Sequence, residues 1–161
     1  MLNRRHIRLK VMQLLYALDI SKFNYDFDLN KELFKSLEDI YDLYLVLISL
    51  LIEVQLKAES YIEISKKKQL ATNEDHNPNT KFIDNIFLSM LKKNSLIEKE
   101  LKKRKLNIWK LDNEYVEVIF QDLINSEIYT DYLNDDINSF ESDKAFLVKF
   151  FKSIVATNEK L

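Results

Sequence analysis

Glycine is absent from the 161 residues, although ordinary usage of about 7% would supply roughly 11. That removes every motif needing backbone at positive φ or pressed against a ligand: the phosphate-cradling loop, the dinucleotide fingerprint, the nucleophile elbow and the Asn-Gly hairpin turn. An all-α fold is the natural remainder. Cysteine is absent too, which excludes disulfides, thiolate zinc sites and cysteine nucleophiles and agrees with a reducing, cytoplasmic location. Histidine occurs only at His6 and His76, too rarely for a His-rich metal site. Glu74, Asp75 and His76 stand beside Pro78, the one proline, and this composition reads as a surface loop rather than a cation site. No carboxylate spacing marks an acid and a base whose pKa values burial would separate. No enzyme is therefore expected, and no catalytic residue, metal or cofactor. The most apolar stretch, residues 43–52, is bounded by Asp42 and Glu53 and is about half the 20 or so residues a bilayer requires, so no membrane partner is expected. Gln13 and Asp19 interrupt the first apolar run, which weighs against a signal peptide and leaves an amphipathic basic presequence as the alternative there.

What is present suits one domain with a substantial core: 47% of residues are hydrophobic and 12% aromatic. Net charge is only −2, but it is unevenly spread. Residues 1–18 hold Arg4, Arg5, Arg8 and Lys10 and no acid, whereas residues 112–143 hold ten acids and no base. A second basic stretch, 92–105, mixes seven bases with Glu98 and Glu100, the pattern of a solvated helix face. Arginine separates the two patches, since only four of the 24 basic residues are arginine and three of those are Arg4, Arg5 and Arg8. Lysine supplies charge, but the guanidinium fork gives bidentate phosphate contacts and stacks on bases. Helix stability does not explain the cluster, because bases at a helix N-terminus oppose the macrodipole.

Periodicity predicts a bundle of about six helices. Over residues 3–19, Ile7, Val11, Leu14, Leu15 and Leu18 share an arc of about 100°, the width of a core-facing stripe. Arg5, Leu9, Met12 and Tyr16 form the adjacent flank, so that a base could stack on Tyr16 while arginines hold phosphates. After a polar turn around 24–30, with Asn30 as N-cap, nothing interrupts the helical pattern from 31 to 66. Unbroken, those residues measure about 54 Å, longer than the roughly 40 Å of a compact globule this size, so the helix must bend, break or project. Residues 67–80 read as a loop. Apolar pairs recur every four residues from Phe82 to Leu91, from Tyr115 to Ile124 and from Phe146 to Val155, each an amphipathic helix, with Thr80, Asp112 and Ser142 as N-caps. A further helix covers 96–106.

Arg4-Arg5-His6-Ile7-Arg8 followed by Val11-Met12-Gln13-Leu14-Leu15-Tyr16 resembles the opening helix of the bacterial transcription antitermination factor NusB family. Tyr41-Asp42-Leu43-Tyr44, Leu51-Ile52-Glu53, the loop from Lys66-Lys67-Lys68 to Asn77-Pro78-Asn79, and Phe82-Ile83-Asp84-Asn85 look like the Bacteroidetes-type extended variant. The resemblance covers residues 1–85 and extends more loosely to 155. It implies a single all-helical domain over 1–161, with NusB-like N-terminal helices in 1–68 and further helices of the variant in 81–157. It implies binding of single-stranded boxA-type RNA in ribosomal RNA transcripts, with ribosomal protein NusE and the RNA polymerase antitermination complex as partners. The family's RNA-contacting positions carry over onto Arg4, Arg5, Arg8 and Tyr16, followed by His6 and Lys10. The family's second helical half, with its Lys-Phe-Val-Asn-Gly stretch, has no counterpart here, which a glycine-free chain requires. The chain is thus expected to be the N-terminal part of a longer protein or one that has lost the rest, and the long helix to lack a layer on one side. The alternative reading is a helical interaction module that docks a basic protein on 112–143. Helix-turn-helix DNA binding is a third, but no tight turn between two short helices stands out.

Overall fold

The computed structural model describes residues 3–20, 28–67, 78–135 and 137–158. Among them there is no strand, and the fold is all-α. Seven helices follow one another: α1 (Arg4–Ile20), α2 (Leu29–Lys66), α3 (Ile86–Lys92), α4 (Ser95–Arg104), α5 (Asn113–Ile124), α6 (Glu127–Asn134) and α7 (Phe140–Phe150). A 3-10 turn, Ile108–Lys110, precedes α5, and α7 ends in a π-helical turn, Phe151–Val155. No helix among the described residues is long and apolar enough to cross a membrane. The polar turn from 24 and the loop carrying Glu74, Asp75 and His76 lie largely outside the described residues.

Side-chain chemistry sets the helix starts, and it moves most of the expected caps. Asp28, not Asn30, opens α2: its Oδ1 accepts from the Asn30 and Lys31 amides at 3.0 and 3.2 Å, meeting two of the donors every helix start leaves free. Asn85 replaces Thr80 as the cap of α3, accepting from Leu88 N at 3.0 Å. Thr80 is instead engaged with Asp84 at 2.6 Å. Ser139 rather than Ser142 caps α7, accepting from Ser142 N at 3.1 Å. Asp112 stands at the start of α5 without a side-chain cap bond. Helix α6 was not expected, although Ser126 caps it at 3.2 Å and Ile128, Tyr129, Tyr132 and Leu133 repeat the four-residue pairing.

The lack of glycine shows at one backbone position. Lys105 ends α4 in the left-handed region, with φ 58°, and Leu106 N–H reaches back to Leu101 O at 3.0 Å, as in a glycine-terminated helix. Cβ crowding makes this conformation costly for lysine. Lys105→Gly is therefore expected to raise stability by about 0.5–1 kcal/mol, read as an increase in the urea midpoint at unchanged slope.

The contacts gather the chain into two compact units, Met1–Tyr44 and Leu45–Leu161. The division falls inside α2, which is continuous over 38 residues, or about 57 Å. In the first unit, Leu18 is the one buried side chain among the described residues. The second unit holds the core: Leu50, Val54 and Ala58 of α2, Phe82, Leu88 of α3, four residues of α5, and Phe146, Leu147 and Phe150 of α7. Trp109 is tied to α2 by its indole N–H, 3.0 Å from both Val46 O and Ser49 Oγ.

Candidate nucleic-acid interface

Helix α1 starts cleanly because Asn3 Oδ1 accepts from the His6 amide at 3.0 Å. Its first turn has no acidic residue. Arg4, Arg5, His6 and Arg8 are exposed and Lys10 is half-buried. Tyr16 is 67% exposed. At 100° per residue, Arg5, Leu9, Met12 and Tyr16 lie within about 60° of one another, with Arg8 some 40° away. One flank thus runs about 16 Å from a guanidinium to a phenol ring. Among the described residues none of Arg4, Arg5, Arg8 or Lys10 is in an ion pair. Unpaired guanidinium groups and free helix-start amides put positive potential at the same end.

The other face of α1 departs from expectation. Of the five residues expected to face a core, Leu18 is buried and Leu14 half-buried, but Ile7, Val11 and Leu15 are 37%, 36% and 53% exposed. Periodicity identifies an apolar face without identifying what covers it. The same holds at the start of the 43–52 run, where Leu43 and Tyr44 are exposed while Leu45 and Leu50 are buried.

The lysine-rich stretch differs in kind from the arginine cluster. Lys92 pairs with Glu59 at 3.0 Å, Arg104 with Glu100 at 3.1 Å, and Lys102 with Glu98. The hydrogen bond and charge of Lys102 hold the Glu98 carboxyl below its usual range. Lys102, Lys103 and Arg104 occupy the last turn of α4, where positive charge suits the helix dipole. Pairing and the helix dipole account for Lys92, Lys102, Lys103 and Arg104.

The acidic stretch also finds local explanations. Glu114, Glu127, Glu141 and Asp143 lie in the first turns of α5, α6 and α7, where a negative charge is stabilising. Glu117 pairs with Lys57, and Asp135 Oδ1 accepts from Ile137 N at 3.0 Å. Asp143 is buried, taking Tyr132 Oη at 2.6 Å on one oxygen and Ile86 N at 2.7 Å on the other. Asn85 Nδ2 completes this network by donating to Tyr132 Oη at 3.1 Å. Burial, reinforced by the bond to Asp143, pushes the Tyr132 phenol well above its ordinary value. Sequence separations of 47, 11 and 57 residues left no motif by which to foresee it.

A cavity of about 480 Å³ opens beside this network, lined among others by Asn79, Lys81, Asp84, Asp135 and Asn138. Its strongest polar groups are already engaged: Lys81 donates to Asp135 O and sits over the Tyr132 ring at 4.6 Å, and Asp84 holds Thr80. Among the described residues no group of three or more His, Cys, Asp or Glu side chains could hold a metal ion. No family model matches the chain, and no curated protein or solved structure matches it.

Proposed function

We propose that the chain is a non-enzymatic, cytoplasmic RNA-binding factor of the NusB type, reading single-stranded boxA-like RNA along the exposed flank of α1. One observation carries this reading: three exposed arginines on one helix with no acidic partner among the described residues, two of them, Arg5 and Arg8, within about 80° of an exposed tyrosine. Phosphates would sit on Arg4, Arg5 and Arg8, aided by His6 and Lys10, and an unstacked base on Tyr16. In this reading NusE and the RNA polymerase antitermination complex are the protein partners. The rival reading, docking of a basic protein on 112–143, has less support, because most acids there start helices or bond within the fold.

Fluorescence anisotropy with a boxA-like single strand tests the proposal. Arg5→Glu combined with Arg8→Glu is expected to weaken binding at least about tenfold and to flatten the log–log salt slope by about 1.4, the share of two single-strand phosphates. Unchanged affinity in the double variant, or no binding by the parent chain, would sink the reading.

A further inference from the structure

The first unit carries more apolar surface than it covers. On α2, Leu29, Leu33, Phe34, Leu37, Ile40 and Tyr44 span an arc of about 140°, wider than the roughly 100° stripe of a helix with one packed face. Phe34 and Tyr44 remain 66% and 58% exposed, and Ile7, Val11 and Leu15 lie open on α1. The charges on the two segments are opposite and equal. Residues 4–20 hold four bases and one acid, net +3, and residues 28–44 hold five acids and two bases, net −3. Glu38 and Asp39 are exposed, and neither they nor Arg4 and Arg8 are in an ion pair among the described residues.

We infer that a second copy of this chain covers these faces, with α1 of each copy against residues 28–44 of α2 of the other around a twofold axis. Such an interface is self-complementary, since each contact of α1 with the partner's α2 is made twice. Charge selects the pairing. Placing α1 against α1 would oppose two +3 segments and α2 against α2 two −3 segments, whereas the crossed arrangement sets +3 against −3 on both sides. At 100° per residue Arg4 falls within the apolar arc of α1 and Arg8 at its edge, and Glu38 stands beside Phe34 at the edge of the α2 arc, so Arg4 and Arg8 meet the partner's Glu38. Arg5, Met12 and Tyr16 lie on the flank turned away from that arc, whereas Arg4 and Arg8 are shared with the proposed RNA contacts, so pairing is measured on the chain without RNA.

Sedimentation equilibrium of the full chain without RNA tests it. Twice the 19.3 kDa chain mass is expected at low micromolar concentration, falling to one chain mass when Val11→Glu and Leu15→Glu are combined. Because the chain has no cysteine, single replacements report pairing cleanly even if that double variant fails to fold. A Leu15→Cys chain mixed with a Phe34→Cys chain is expected to give the mixed disulfide as the main oxidised product. The inference is overturned by a single-chain mass persisting to about 100 μM, far above a micromolar Kd. It is equally overturned by dimers surviving in a folded double variant, or by Leu15→Cys chains crosslinking to one another faster than to Phe34→Cys chains.

Discussion

Replacing Asp143 by alanine is expected to lower the unfolding free energy by about 3 kcal/mol. Two hydrogen bonds to a carboxylate are lost, each contributing about 1.5–3 kcal/mol, and the desolvation once charged against the carboxylate is recovered. The larger part of the effect lies in what remains. Ile86 N, bonded to Asp143 at 2.7 Å, would be left as a donor without its acceptor, Tyr132 Oη, bonded at 2.6 Å, would keep only a long contact with Lys81 O at 3.5 Å, and the start of α3 would lose a partner. Asn85 offers Tyr132 no substitute, because its Nδ2 is itself a donor and its Oδ1 is committed to Leu88 N. Asp143→Asn keeps the volume and one acceptor, so about half the loss is expected. Urea unfolding followed by tryptophan fluorescence checks both, since Trp109 lies in the same core. A change below about 1 kcal/mol for the alanine variant would show that the network is not structural.

Helix α1 and the unbroken α2 could be read from apolar spacing because local periodicity needs no knowledge of the rest of the chain. Three of the later helices were legible for the same reason, while α6 was hidden inside a stretch read for its charge. Caps were harder: Thr80 and Ser142 fit the preferred residue types, but Asn85 and Ser139 have the carbonyl and hydroxyl oxygens that reach the helix amides. Burial on α1 was legible only in part, because Leu18 is buried and Leu14 half-buried, whereas Ile7, Val11 and Leu15 fulfil the same pattern and are exposed. The candidate site was placed on α1 by its arginine cluster, a compositional signal that local sequence can carry. That those arginines have no acidic partner among the described residues is visible only in the folded chain, and so is the use of acids in 112–143 as helix starts. Absent glycine has a similar double aspect: it indicated helices, and its structural cost is met by Lys105 at a helix end.

Phe146→Ala is expected to cost about 4 kcal/mol, at the middle of the range for removing a buried phenylalanine. Its ring is the hub of the aromatic core. It stacks on Tyr132 at 3.9 Å, meets Phe82 edge-on at 5.9 Å and lies parallel to Phe150 at 6.4 Å. Favourable aromatic pairs contribute about 0.5–1.5 kcal/mol each beyond the area they bury, so the cavity and the lost pairs act together. Phe146→Leu should recover most of the volume but none of the ring contacts, leaving a loss of about 1–2 kcal/mol. Tyr16→Ala on the open flank of α1 is expected to change stability by under about 0.5 kcal/mol. Chemical unfolding of the three variants under one set of conditions gives the comparison. A loss for Tyr16→Ala approaching that of Phe146→Ala would mean that the first unit carries core packing absent from this structure, and that the flank assigned to RNA is in fact covered.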